Sequence, residues 1–328
     1  MPNGRWPHER VDLAVTPPLE PKALRLRAKL AEPGTARAAG AWDALSAGLG
    51  ERAGFDALWA SGLAISAANG VSDSGIVGAA EVIAAADIVN RASGLPVVVD
   101  GDSGFGDVNA LVRTIRLCEA RGLAGLSIED QAFPKRNSFH GEQRLADPDE
   151  FAVKIESAKA ALRDDAFVVI ARVQSLIAGT GQADALWRAE LYADAGADAI
   201  LIHSRGRTPD EVLEFARAWR RRGRDTPLIA VPTSYPQVTV DELREAGIGM
   251  AIYANQALRA AVLAMSRALA AIASAGSSGG VESDLVSVQE LLDLIGTGEV
   301  EQRDAWFHSS VAARRERGVE PAPPSVVT

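Results

Sequence analysis

Only one cysteine, Cys118, occurs in the 328 residues. A lone thiol cannot close an internal disulfide, and the four histidines form no Cys/His cluster at ligand spacing, so a structural zinc site is not expected either. Both points fit a reducing, cytoplasmic setting. Positive charge is in short supply too: 34 Lys and Arg stand against 43 Asp and Glu, a formal charge of −9. Nucleic-acid binding needs a basic face, so no nucleic-acid partner is expected. No run approaches about 18 uninterrupted apolar residues, and the N-terminal stretch carries charge on both sides of a short apolar run. Neither a membrane span nor a signal peptide is therefore expected. Aromatics make up only 5% of the chain, yet hydrophobic residues reach 47%. That excludes a disordered chain and leaves enough apolar surface for one large core or two ordinary ones.

What is present is a rhythm. Short apolar runs at 36–42, 57–60, 96–100, 124–129, 167–172, 199–203, 228–231 and 250–253 each end in polar residues or glycine, and longer alanine-rich, charge-decorated segments follow them. Segments 79–93, 108–121 and 183–195 carry apolar residues at helical spacing, and Gly122, Gly196 and Gly247 stand where C-caps belong. Alternating strands and helices imply an α/β fold with a parallel sheet. Eight runs, with no Gly-x-Gly-x-x-Gly turn after the first, favour a (β/α)8 TIM-type barrel over an open doubly wound sheet. Residues 1–24, rich in proline and charge, read as an arm, and 25–257 as the barrel. Residues 258–310 read as C-terminal helices around a Gly276-to-Gly280 linker, a pair suited to packing on a partner subunit, and 311–328 as a tail.

In a parallel barrel the chemistry sits at the C-terminal ends of the strands. The third run ends Asp100-Gly101-Asp102 and the fourth Glu129-Asp130. Asp100 and Asp102 are two apart, so on extended backbone both point to one side, where a cation would relieve their repulsion. All-oxygen donors suit Mg²⁺ or Mn²⁺; the alternative is a solvated acidic loop. The fifth run ends in Arg172 and the sixth in His203, a guanidinium and an imidazole able to hold phosphoryl or carboxylate oxygens across the mouth. The alternatives are a surface ion pair and a hydrogen-bonded core histidine. Phe133 to Gly141, with Lys135, Asn137 and Ser138, reads as a loop over the mouth that would bring donors to a substrate and exclude water, or as an ordinary basic turn.

These stretches, with Trp59-Ala60-Ser61-Gly62-Leu63, Ser66 and Gly70-Val71-Ser72-Asp73-Ser74, resemble the phosphoenolpyruvate mutase branch of the isocitrate lyase superfamily, in order over about residues 35 to 295. The resemblance implies a barrel whose last helices are exchanged between subunits of a homo-oligomer, dimer or tetramer. It also implies interconversion of phosphoenolpyruvate and phosphonopyruvate with Mg²⁺. Asp100 would be the direct metal ligand, with Asp73, Asp102 and Glu129 on metal-bound water. Ser61, Gly62 and Leu63 would receive the substrate carboxylate, Arg172 and His203 the phosphoryl oxygens, and Lys135, Asn137 and Ser138 the migrating group. Relatives typically read Glu-Asp-Lys and Arg-Val-Glu where this chain has Glu129-Asp130-Gln131 and Arg172-Val173-Gln174. The paired loss of one charge of each sign implies that the two positions face each other, since a single loss would strand a buried charge. The rivals are phosphonopyruvate hydrolase, whose lid usually has threonine in place of Asn137, and an oxaloacetate-type decarboxylase or other 2-oxoacid lyase. Carbon–carbon lyases of the superfamily carry a lid cysteine, absent here. A Mg²⁺-binding pseudoenzyme is the non-catalytic alternative.

Overall fold

Each of the eight apolar runs forms a strand: β1 (Ala36–Ala41), β2 (Ala57–Ala60), β3 (Val97–Asp100), β4 (Gly125–Glu129), β5 (Val168–Val173), β6 (Ala199–Ile202), β7 (Leu228–Ala230) and β8 (Ile248–Tyr253). The computed structural model describes residues 20–316, and in it these strands pair in parallel, each with the next, to form a closed barrel. Closure is made by β1 on β8, with Ala36 opposite Met250 and Ala38 opposite Ile252. Observed bounds differ from the expected ones by a residue or two at half of the strand ends. Helices Ala79–Arg91, Val108–Glu119 and Gln182–Asp194 fill the expected segments, and Gly122, Gly196 and Gly247 all have positive φ at helix ends.

Two apolar clusters follow from the period-two alternation of the strands. The inner one joins Ala36, Ala38, Trp59, Val98, Ile170, Leu201, Ile229 and Ile252 with Leu26 and Leu30 of the helix Lys22–Ala31. The outer one joins Leu58, Val97, Val99, Leu126, Ile128, Val169, Ala171 and Ile200 with the surrounding helices. Parity therefore states where each strand's polar end points. Two residues beyond an inner side chain lies another inward-facing position at the mouth: Ser61 after Trp59, Asp100 after Val98, Arg172 after Ile170, His203 after Leu201.

The arm expected at 1–24 is corrected at its end, because the helix begins at Lys22; Ala23, Leu26 and Leu30 recur at helical spacing and are all buried. Residues 1–19 of that arm lie outside the described residues, as do 317–328 of the expected tail. Residues 311–316 of the tail continue the helix Thr297–Glu316.

The chain divides into two compact units, with Glu20–Leu263 holding the barrel. From Ala264 the second unit carries the rest of the helix Gln256–Ala275, then helices Val288–Leu294 and Thr297–Glu316. Ser287 and Glu290 form a capping box at the start of Val288–Leu294. By length and composition alone, Gln256–Ala275 is long and apolar enough to cross a membrane. Five of its large apolar residues, Leu258, Val262, Met265, Leu269 and Ile272, recur at alternating steps of four and three and make a stripe, with Leu263 lying off it.

Candidate active site

The third strand ends in a turn that needs its glycine. A Cβ on Gly101 would meet Leu126 Cδ1 and Ser127 O at 2.7 Å, and the Gly101 N–H donates to Ser127 O at 2.8 Å. Asp102 follows at φ 49°, a left-handed conformation that aspartate tolerates better than most residues. Its carbonyl accepts the Glu129 N–H at 2.8 Å. The ends of β3 and β4 are thus tied together, which brings Asp100, Asp102 and Glu129 to the same part of the mouth.

The lid lies over them. Lys135 Nζ stands 2.5 Å from both Asp73 Oδ1 and Asp102 Oδ1. Asn137 Nδ2 donates to Asp73 Oδ2 at 2.7 Å. Ser138 Oγ accepts from Arg172 Nη2 at 3.0 Å and from Gln174 Nε2 at 3.1 Å. Arg172 Nε lies 3.4 Å from Glu129 Oε2 and its Nη2 2.7 Å from His203 Nδ1, while the Phe139 ring stands edge-on to the imidazole.

A small cavity, about 50 Å³, opens between these groups and is lined by all the expected site residues except Gly62 and Asp102. Gly62 lies against the carboxylates instead. Its N–H donates to Asp100 Oδ2 at 3.2 Å, and an added Cβ would sit 3.2 Å from that same oxygen. Ser61 caps the helix Gly62–Ala68, accepting the Ala64 N–H at 3.3 Å.

Burial governs the charges. Desolvation raises Asp100, with Lys135 and Arg172 opposing it, and pushes Asp102 up to about 7 despite the Lys135 ammonium beside it. Burial alone would lower Lys135, but Asp102, Asp100, Asp73 and Glu129 outweigh it and hold the ammonium above its ordinary value. Burial, then Arg172, takes His203 well below its ordinary value, so the ring is neutral.

Among the described residues no three carboxylate, imidazole or thiolate side chains are drawn together around one point; Lys135 supplies the cation between Asp73 and Asp102. The donor set still fits a hard divalent ion held partly through water, because Asp73, Asp100, Asp102 and Glu129 all offer oxygen donors at the mouth and Asp73 and Asp102 already hold a positive group between them.

Two expectations are corrected. Asp130, counted with the acidic end of β4, is turned away from the mouth and completely buried, hydrogen-bonded to Tyr192 Oη at 2.9 Å and Arg188 Nη1 at 3.2 Å. The alternation explains it, since Ile128 faces the outer cluster. Gln131 and Gln174 do not pair. Gln174 Nε2 donates to Glu129 Oε2 and Ser138 Oγ, whereas Gln131 Nε2 donates to Gln143 Oε1 at 2.6 Å and its Oε1 accepts the Arg136 N–H. Sequence reasoning missed Thr233 and Asn255, which also line the cavity. Thr233 could have been found by parity, two beyond inward-facing Val231.

Fold and site together define a barrel enzyme for a small anionic substrate, closed by a lid. A family model described as phosphoenolpyruvate phosphomutase matches residues 26–273, and the chain belongs to that family. It is 41% identical over 269 residues to a phosphoenolpyruvate phosphomutase of Tetrahymena pyriformis, covering 81% of this chain and 89% of that one. Its structure matches the crystal structure of the phosphoenolpyruvate phosphomutase of Streptomyces platensis subsp. rosaceus with a TM-score of 0.84 and 43% identity, over 87% of this chain and 99% of that one. It also matches a phosphonopyruvate hydrolase in complex with oxalate and Mg²⁺, with a TM-score of 0.81 and 38% identity over 87% and 98%.

Proposed function

We propose that the chain interconverts phosphoenolpyruvate and phosphonopyruvate. The observation that carries this reading is the closed lid, which sets Lys135, Asn137 and Ser138 against the carboxylates, Arg172 and His203 around one cavity. In phosphonopyruvate, phosphorus is bonded to C3. As that bond breaks, its electron pair becomes the C2=C3 double bond, the carbonyl π pair moves to the C2 oxygen, and the oxygen bonds phosphorus. Atoms and charge balance without a proton, a water or a redox partner, so positioning and charge stabilisation do the work.

Arg172 and His203 would grip the phosphoryl oxygens while the lid residues hold the migrating group and exclude water. Ser61 with the N–H groups of Gly62 and Leu63 would receive the carboxylate, Gly62 exchanging its bond to Asp100 for one to substrate. Mg²⁺, with Mn²⁺ as the alternative, would be held by Asp100 directly and by Asp73, Asp102 and Glu129 through water. When bound it would supply positive charge to the oxygens that take up the enolate charge. The Mg²⁺ and oxalate in the phosphonopyruvate hydrolase structure support this choice.

A lyase mechanism with a lid cysteine finds no support. The sole cysteine, Cys118, lies in the helix Val108–Glu119 with no exposed surface, and burial pushes its thiol up to about 12. For assembly we propose a homodimer or homotetramer formed by exchange of the C-terminal helices. The stripe on Gln256–Ala275 supports it, with Val262, Met265 and Leu269 each more than half exposed. A reducing cytoplasm suits the single buried thiol.

Phosphorus NMR of the purified protein with phosphonopyruvate and Mg²⁺ tests the activity. Phosphoenolpyruvate is the expected product. Inorganic phosphate would make the chain a hydrolase, loss of phosphonopyruvate to another product a lyase or decarboxylase, and an unchanged signal a binding protein.

A further inference from the structure

Behind the site, between the sheet and its helices, lies a charged group that the reaction does not use. Asp130 has no exposed surface, and its carboxylate accepts three hydrogen bonds: from the Gln174 N–H at 2.8 Å, Tyr192 Oη at 2.9 Å and Arg188 Nη1 at 3.2 Å. Arg188 and Tyr192 come from the helix Gln182–Asp194, and Arg188 Nη1 also donates to Ala146 O at 3.1 Å. The backbone of Asp130 is just as occupied. Its N–H donates to Arg172 O at 3.1 Å, and its carbonyl accepts the Ala146 N–H at 2.9 Å.

Ala146 is the exit of the lid. Above it the two stems of the lid pair, Gln131 against Leu145, with the Ala132 N–H on Arg144 O at 2.8 Å. One buried residue at the end of β4, beside cavity-facing Glu129, therefore meets the end of β5 and the base of the lid: its backbone bonds Arg172 and Ala146, and its carboxylate bonds the Gln174 N–H just beyond β5 and, through Arg188, is linked to Ala146 O. An apolar side chain would fill this outer space at less desolvation cost, but it would impose no direction on any of these groups. A carboxylate with a guanidinium fork and a phenol does impose one, because each bond has a fixed donor and angle.

We propose that Asp130, with Arg188 and Tyr192, is a positioning cluster that fixes the lid stem against Glu129 and Arg172. This rests on the reading of the lid and mouth as the active site. None of the three residues touches the cavity, so the cluster acts only through the groups it holds.

The test uses the full-length protein without substrate. The lid carries tryptic sites at Lys135, Arg136 and Arg144. Tyr192→Phe removes the one hydroxyl that bridges Asp130 and Arg188, and leaves the ring packed on Phe151 at 4.7 Å. Trypsin cleavage within residues 131–146, followed by mass spectrometry, is expected to quicken roughly tenfold to a hundredfold, the scale of one hydrogen bond to a charged group. In turnover, kcat should fall with KM changed by less than about twofold. Asp130→Asn should do the same more strongly where it folds. Thr114→Val, which removes a buried hydroxyl bonded to Ala110 O far along the chain, is the control and should leave lid cleavage unchanged. Unchanged lid cleavage in Tyr192→Phe would overturn the proposal, as would an equal increase in Thr114→Val. Because cleavage is read without substrate, a failure to turn over phosphonopyruvate would refute the functional reading and leave this result standing.

Discussion

Arg172 Nη2 lies 2.7 Å from His203 Nδ1, and a guanidinium can only donate, so Nδ1 accepts and the imidazole proton sits on Nε2. Among the described residues that Nε2 has no hydrogen-bond partner, and the side chain is 2% exposed. A buried donor left without a partner costs about 1 to 3 kcal/mol, which a substrate oxygen would recover. The arrangement gives the neutral histidine a donor role beside the Arg172 cation.

The first prediction separates its two nitrogens. Asparagine at 203 can replace the Nδ1 acceptor, and glutamine can replace the Nε2 donor. If Nε2–H holds a phosphoryl oxygen, His203→Asn should lower kcat about 100- to 1000-fold and His203→Gln distinctly less. Steady-state kinetics decides, and an asparagine variant as active as the glutamine variant sinks the assignment. Stability adds a pH signature. With the folded pKa depressed, the neutral ring's contribution is complete above the unfolded value near 6.5 and is lost as pH falls below it, at up to about 1.4 kcal/mol per pH unit. Thermal melts from pH 7.5 to 5 should therefore show wild type losing more stability on acidification than His203→Gln.

Asp100 carries the metal prediction. It faces the mouth two residues beyond Val98, so Asp100→Ala should fold normally. Mg²⁺ should raise the thermal midpoint of wild type, chelator should remove that gain, and Asp100→Ala should show neither the gain nor Mg²⁺-dependent turnover. Asp102→Ala should be milder towards the metal, since Asp102 is paired with Lys135. A normal Mg²⁺ shift in Asp100→Ala would move the direct ligand elsewhere.

The alternation that places Asp100 also shows what the sequence could reveal. Strand runs, helix-ending glycines and the inward residues at 100, 129, 172 and 203 follow from a period of two and a count of eight, which are local properties. Asp130 was open to the same logic, because one step along β4 reverses the face, but acidic neighbours in sequence invite being counted together. The short helix start at Lys22 was hidden by proline and charge before it. The partners of Gln131 and Gln174 were beyond reach for a different reason. Both depend on how a lid of some fifteen residues folds back on itself, and a loop has no period to read.

Asn137 tests the lid. Its amide reaches Asp73 Oδ2 at 2.7 Å with no intervening group. Asn137→Ala should lower kcat at least tenfold, because a contact made to the migrating group is lost, while the Mg²⁺-induced thermal shift changes little. An unchanged kcat would make the loop a cover and nothing more.

The last prediction concerns the two glutamines. The sequence suggested that they face each other, in which case Gln131→Lys and Gln174→Glu together would restore an ion pair with a coupling of about 1 to 3 kcal/mol. The structure gives them separate partners, Gln143 and the Arg136 N–H for one, Glu129 and Ser138 for the other. The double-mutant cycle should therefore be additive within about 0.5 kcal/mol. Gln174→Glu should be the costly change, because it sets a second carboxylate against Glu129 Oε2. Such a pair is tolerable only while it shares a proton, so the deficit should grow as pH rises and both groups ionise. Chemical denaturation at pH 6 and pH 8 reads this directly. A coupling above about 1 kcal/mol would mean that the lid rearranges to bring the two positions together. A deficit independent of pH would mean that the amide of Gln174 is retained for its bond to Ser138 rather than for its lack of charge.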